Sequence, residues 1–177
     1  FSADSQLVLT GGDDMKVHTW SATTGAALAS INGHKGAIKA IVFNGEKFIS
    51  ASADKTAQVW SLGVEWKLER VIGTGDDKSP LTDRVNTIDF SPDGKQIATG
   101  SGEPSRGGEV QIWNIADGKL MKNFADVHSD SVLGLEFSRD AKYIASASAD
   151  KFVKVTEIAT GKIVHTFEGH THHALGV

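Results

Sequence analysis

The chain has 177 residues, 40% of them hydrophobic and 23% charged, with a net charge of −4. That balance is ordinary for a folded domain. It is too far from basic for a nucleic-acid-binding stripe and holds no run of the ~18 apolar residues that a membrane helix needs. Zero cysteines exclude disulfides, thiolate catalysis, thiolate metal sites and covalent haem attachment within these residues, and leave the compartment open.

In chain order, four segments share one register. "DDMKVHTW" ends at Trp20, "DKTAQVW" at Trp60, "GEVQIW" at Trp113, and "DKFVKVTE" carries Thr156 at the same place. The steps are 40, 53 and 43 residues, and Asp14, Asp54 and Asp150 each lie six residues before the aligned position. The segments before each Asp also repeat, as "QLVLTGGDD", "KFISASADK" and "KYIASASADK". So do "AIKAIVFN", "RVNTIDFSPDGK" and "SVLGLEFSRDAK" further upstream.

Each repeat reads as four short β-rich runs. In the second they are 37–43, 47–52, 56–62 and 65–72, with partial polar–apolar alternation and turn residues between them. "SPDGK" (91–95) and "ADGK" (116–119) are hairpin turn signals, because Gly takes the positive φ of a tight turn and Pro presets φ at its start. No sustained 3.6-residue period occurs. Four-stranded antiparallel units recurring every ~40–45 residues predict an all-β propeller.

These features resemble the WD40 repeats. The matching residues are "GH" at 33–34 and 169–170, "SASADK" at 50–55 and 146–151, "FSPDGK", and the Trp that ends the third strand in the first three repeats. The Trp-Asp dipeptide itself is absent, since Trp20 and Trp60 precede Ser and Trp113 precedes Asn. "GEPSRGGEVQIWNIADGKL" and "GHTHHALGV" further resemble WD40 domains of bacterial, planctomycete-type multidomain proteins often joined to c-type cytochrome domains.

The resemblance implies about four four-stranded antiparallel blades of a seven-bladed ring, with repeats at approximately 1–32, 33–72, 73–124 and 125–167 and the first strand of another at 168–177. About three further blades are expected beyond this stretch. An open arc exposes strand edges and blade faces, so self-association is expected. Closure into four blades by pairing 174–177 with the first blade is the disfavoured alternative.

The resemblance also implies a hydrogen-bonded tetrad in each blade. In the second repeat it maps to His34, Ser50, Asp54 and Trp60, and in the fourth to His128, Ser146 and Asp150, with Thr156 in place of Trp. The first repeat keeps Thr10, Asp14 and Trp20. The third keeps Thr99 and Trp113, with Leu81 at the His position. His170 opens the next set. The residue types suit such a chain of bonds. Asp accepts, His donates on one nitrogen and accepts on the other, Ser does both, and a buried Trp N–H wants an acceptor.

The rival for His34, Ser50 and Asp54 is a Ser-His-Asp catalytic triad. Such a triad needs an exposed Oγ and an oxyanion site. The set recurs in degraded forms along the chain, as a structural device does. No enzymatic activity is therefore expected of these residues. "GHTHH" offers His170, His172 and His173 to a metal, but without a nearby carboxylate it reads as a solvated loop. "GTGDDKSPLTDR" (73–84) lacks the P-loop spacing and reads as a polar connection. No cofactor or metal is expected.

Two inserts lengthen loops of the third repeat, 73–84 and 101–108. On a WD40 blade both emerge on the face usually called the top, where Asp76, Asp77, Asp83, Arg84, Glu103 and Arg106 would form a charged rim. Loops tolerate such insertions by drift and also carry function. The family's partner-facing positions map to Asp13, Lys39, Arg84, Asn86, Leu133, His173 and Leu175, beside Ala37, Ala53, Ser131 and Ala149. This mildly polar set suits a protein or peptide partner, with no nucleic acid and no membrane insertion. The function expected is a non-catalytic interaction scaffold. The alternative is an accessory propeller of a larger envelope or cytochrome-linked redox protein. The location would be periplasm or cell envelope in that alternative and cytoplasm otherwise.

Overall fold

The computed structural model describes residues 1–62, 66–76 and 78–177, and all regular structure among them is β. Asp77 and Glu65 lie outside the described residues. The first sheet has three strands, β1 (Leu7–Gly11), β2 (Lys16–Ser21) and β3 (Ala27–Asn32). The second has β4 (Ile38–Asn44), β5 (Lys47–Ser52), β6 (Thr56–Leu62) and β7 (Trp66–Ile72). The third has β8 (Val85–Phe90), β9 (Gln96–Ser101), β10 (Gly108–Asn114) and β11 (Leu120–His128). The fourth has β12 (Val132–Phe137), β13 (Tyr143–Ser148), β14 (Val153–Glu157) and β15 (Ile163–Phe167). Each is an antiparallel meander in chain order, the blade of a propeller.

The blades stack face to face through three apolar layers. Val17, Ile38, Phe48 and Trp60 fill the first boundary. Ile49, Val59, Ile72, Leu81, Val85, Ile97 and Trp113 fill the second. Val110, Ile112, Phe124, Val132, Phe137 and Ile144 fill the third. Middle strands are therefore buried on both faces, which is why "KFISAS" is a small-and-apolar run rather than a strict alternation. The first strands of neighbouring blades pack on one another, β4 on β8 and β8 on β12, with β1 against β4. Asp89 ties two of them, its Oδ2 accepting the Phe137 N–H at 2.8 Å.

Turn chemistry sets the registers. Gly94 of "SPDGK" has φ +69°, a conformation that L side chains rarely adopt, and Ser91 Oγ bonds Asp93 across the same turn at 2.7 Å. Two irregularities recur. The first strand bulges near its start in β4 (Ile38/Ala40), β8 (Val85/Thr87) and β12 (Val132/Gly134). The ladder between third and fourth strands slips at Trp20, Trp60, Trp113 and Thr156. Such bulges re-aim side chains at the rims of sheets.

Residues 168–177 depart from the expected strand. They form none, although the Ala174 N–H bonds the Ser148 carbonyl at 3.0 Å as the Ile38 N–H bonds that of Gly12. Gly176 lies against Gly134 of β12, so this segment rests on the fourth blade and not on the first.

Candidate functional site

The hexapeptide "SASADK" builds the same corner in two blades. In the second, Ser50 on β5 and Trp60 on β6 sit side by side, and Trp60 Nε1–H donates to Ser50 Oγ at 3.0 Å. Ser50 Oγ and His34 Nε2 are 2.8 Å apart, and His34 Nδ1 and Asp54 Oδ2 3.1 Å. A carboxylate can only accept, so Nδ1–H donates to Asp, and with Nε2 as acceptor the remaining protons run Trp N–H to Ser and Ser O–H to Nε2. Asp54 also accepts from the Lys35 and Thr56 N–H groups and from the Thr56 hydroxyl. The second serine of the hexapeptide holds the turn, since Ser52 Oγ donates to the Gly36 carbonyl and accepts from the Asp54 N–H. Lys55 closes the turn at φ +64°, as Lys151 does at +78°.

Burial pushes the Asp54 carboxyl up, but the His34, Thr56 and Lys35 bonds win and hold it at about 2. In the fourth blade His128 bridges Asp150 (2.9 Å) and Ser146 (2.8 Å). Burial lowers the His128 pKa against the pull of Asp150. Despite burial, the Phe152 N–H, His128 and Ser129 N–H bonds lower that of Asp150. Ser50 and Ser146 are fully buried, so neither Oγ offers a nucleophile to a substrate.

The other sets differ. Trp20 Nε1 donates to Thr10 Oγ1 at 2.9 Å, and Trp113 Nε1 to Thr99 Oγ1 at 3.0 Å. Leu81 at the His position of the third blade is buried in the apolar layer. Asp14 joins no loop histidine among the described residues. Its Oδ2 lies 2.6 Å from Nε2 of His18, the neighbour across the turn. His170 is exposed and makes no side-chain bond among the described residues, where no second-strand Ser and turn Asp stand beside it. His172 and His173 are likewise exposed.

Thr156 exposes a defect. Its side chain is buried and its hydroxyl has no partner among the described residues. Thr156→Val keeps the shape and removes the orphan, so stability is expected to rise by about 1 kcal/mol in a urea melt. A loss would mean that a bound water holds the hydroxyl.

A further repeat is not evident from the sequence pattern. Gln58, Gln111 and Lys154 each stand two residues before the Trp position. Their side chains reach the carbonyls of Gly33 (3.0 Å), Pro80 (2.9 Å) and Val127 (2.6 Å). Those carbonyls immediately precede His34, Leu81 and His128. Each bond pins the loop that enters the blade. The equivalent His18 turns to Asp14 instead. Unlike side chains at one spacing were the only signal.

Four of the positions expected to face a partner, Lys39, Arg84, Asn86 and Leu133, come together at one end of the first strands. Lys39, Asn86 and Leu133 are the unpaired residues of the three first-strand bulges. They line one groove of about 340 Å³ with Arg84, Gly102, Pro104 and Ser131. The Asn86 amide donates to the Gly102 carbonyl at 3.0 Å. Glu103 bridges Arg84 and Arg106, each at 3.5 Å, and Asp13 reaches Lys39 at 3.6 Å. Ser131 is buried, its Oγ unpartnered among the described residues.

The expected rim is only partly assembled. Asp76 turns back on Thr74 and the Lys78 N–H, and the charge of Asp83 acts on Glu109. The loop folds on itself there, with Ser79 Oγ accepting from the Thr74 and Leu81 N–H groups. His173 and Leu175 stand apart from the groove lining, Leu175 being 73% exposed on a segment with no strand to bulge.

Comparison with known proteins agrees with this architecture. The model of the family "WD domain, G-beta repeat" matches residues 1–21, 25–61, 72–114 and 118–156. Apoptotic protease-activating factor 1 of Rattus norvegicus is 32% identical over 174 residues, 93% of this chain and 13% of that protein. Periodic tryptophan protein 2 of Arabidopsis thaliana is 29% identical over 180 residues, covering 100% of this chain and 19% of its own length. Protein hir1 of Schizosaccharomyces pombe is 36% identical over 100 residues, 55% of this chain and 11% of that protein. The chain thus spans less than a quarter of each relative. These relatives are eukaryotic, and none supports the bacterial, cytochrome-linked subtype. With four matched repeats spanning most of its length, the chain belongs to the WD40 repeat family.

Proposed function

We propose that this chain is a non-catalytic interaction scaffold that receives a protein or peptide partner in the groove at the ends of β4, β8 and β12. The carrying observation is that three consecutive blades each bulge one residue, Lys39, Asn86 and Leu133, into a single groove. The rigid blades supply pre-organisation, and the bulges supply a cation, an amide and an apolar surface. The Arg84–Glu103–Arg106 bridge gives the groove a charged edge that an acidic or basic partner side chain can join.

The test is affinity capture with the natural full-length protein, comparing wild type with Lys39→Glu/Leu133→Arg. Both positions are bulged, Lys39 exposed and Leu133 half-buried at the groove, so the melt is expected to move by about 1 kcal/mol. Specific partners of the wild type should be lost from the variant. Identical capture by a folded variant would overturn the groove as the binding edge. Self-association is part of the same reading. The outer strands leave Leu28, Met121 and Phe167 exposed, at 55%, 47% and 55%. Sedimentation coefficients are expected to rise with concentration and to flatten in Phe167→Lys.

A further inference from the structure

Among the described residues, the first half of the loop insert at 73–84 contributes nothing to the groove. Thr74 and Gly75 instead wall a second cleft, of about 500 Å³, on the face of the second blade that looks toward the first. Its floor is the β6–β7 pair, with Gln58 and Thr56 from one strand and Leu68 and Val71 from the other. The loop entering the blade supplies Gly33 and Lys35, and the tetrad turn supplies Ala53, Asp54 and Lys55. The volume falls within the roughly 300–1,000 Å³ of ligand clefts.

Three observations define the floor of this cleft and its chemistry. First, Gln58 is 4% exposed, and its Oε1 is an acceptor without a partner among the described residues, while its Nε2 is used on the Gly33 carbonyl. That oxygen is sealed under the entry loop, so it belongs to the cleft floor and takes no contact from a ligand. A Cβ at Gly33 would lie 2.5 Å from that Oε1, so glycine is what lets the loop close over it. Second, Leu68 and Val71 remain 39% and 43% exposed on β7, an edge strand, and present apolar surface along an extended path. Third, Lys35 and Lys55 make no ion pair among the described residues, although the chain as a whole is acidic at −4. The one carboxylate of the lining among the described residues, Asp54, is committed to His34, Lys35 N–H and Thr56.

We propose that this cleft is a second peptide site, independent of the first-strand groove. It takes an extended segment of another protein that alternates acidic and apolar side chains. The apolar side chains lie on Leu68 and Val71. The carboxylates face Lys35 and Lys55. Such alternation matches a strand-like ligand laid along a β edge.

The probe is a fluorescein-labelled heptapeptide alternating Asp with Val and Leu, and the control replaces each Asp by Lys. Anisotropy and amide-shift mapping are read on the full chain. The acidic peptide is expected to bind, weaken with salt, and shift Lys35, Lys55, Leu68, Val71 and Thr74. Lys35→Glu/Lys55→Glu should weaken it at least about tenfold, and Val71→Lys should do so without touching the tetrad. Arg84→Glu should leave it unchanged. Shifts centred on Lys39, Asn86 and Leu133, equal binding of the Lys control, or no binding at about 1 mM would each overturn the assignment.

Discussion

Trp60→Ala is expected to cost about 3–5 kcal/mol, and to lower the melting temperature by roughly 10 °C or more in a domain of this size. Two contributions add. The indole is 4% exposed, stacked on Phe48 at 5.8 Å with an 11° tilt between planes, and it seals the layer between the first two blades. It also donates to Ser50 Oγ, whose own proton goes to His34. Trp60→Phe separates the two. It keeps most of the apolar contact and loses only the N–H, so about 1 kcal/mol is expected. Ser50→Ala strands the Trp60 N–H and the His34 Nε2 together, and about 1–3 kcal/mol should go. A Ser50→Ala chain as stable as wild type would sink the structural account of the corner and reopen the catalytic one. With total stabilities of about 5–15 kcal/mol for natural domains, the Ala variant at Trp60 should be close to unfolding at physiological temperature.

The corner was legible in the sequence because it lies within one blade. Its members are spaced by strand lengths and tight turns, which repeat, so Trp20, Trp60, Trp113 and Thr156 fall into one alignment and the strands of the second blade are placed within one residue. The groove was half legible. Lys39, Asn86 and Leu133 sit at a fixed distance from the loop histidine position, but nothing in their identity announces the bulge that turns them outward. What was hidden depends on contacts between loops. The Glu103 bridge between Arg84 and Arg106 joins two inserts of unrelated length. The Ser105 N–H reaches Asp130 in the next blade at 3.1 Å. No period encodes such meetings. Asp14 stands in register and bonds His18 across its turn, a partner that the spacing does not announce.

That dependence on partners makes Asp54 the other sensitive position. Asp54→Ala would leave the His34 Nδ1–H, the Lys35 and Thr56 N–H groups and the Thr56 hydroxyl without an acceptor, at an expected cost of about 3 kcal/mol. The carboxylate side chain is 11% exposed, so water can replace it only in part. The same group sets an acid limit. Its pKa falls from the ordinary 3.8 of an unperturbed Asp to about 2 in the fold. Folding therefore favours the ionised form. The stabilisation is complete above pH ~5 and is lost as pH falls toward 2, amounting to about 2 kcal/mol. Asp150 is lowered as well and adds loss in the same direction. His128 acts at higher pH. Its folded pKa lies below 6.5, so the unfolded chain takes up its proton first and stability begins to fall once pH drops below that value. Urea melts from pH 7.5 to 2.5 should show the two phases in that order. In Asp54→Ala the lower phase should shrink by the Asp54 share while the upper one, seated in the fourth blade, stays. If the variant instead kept the full wild-type acid slope, the carboxylate would not be bonded in the fold as these distances place it. If it lost both phases, the two corners would be coupled across the blades, and the fourth blade would not stand without the second.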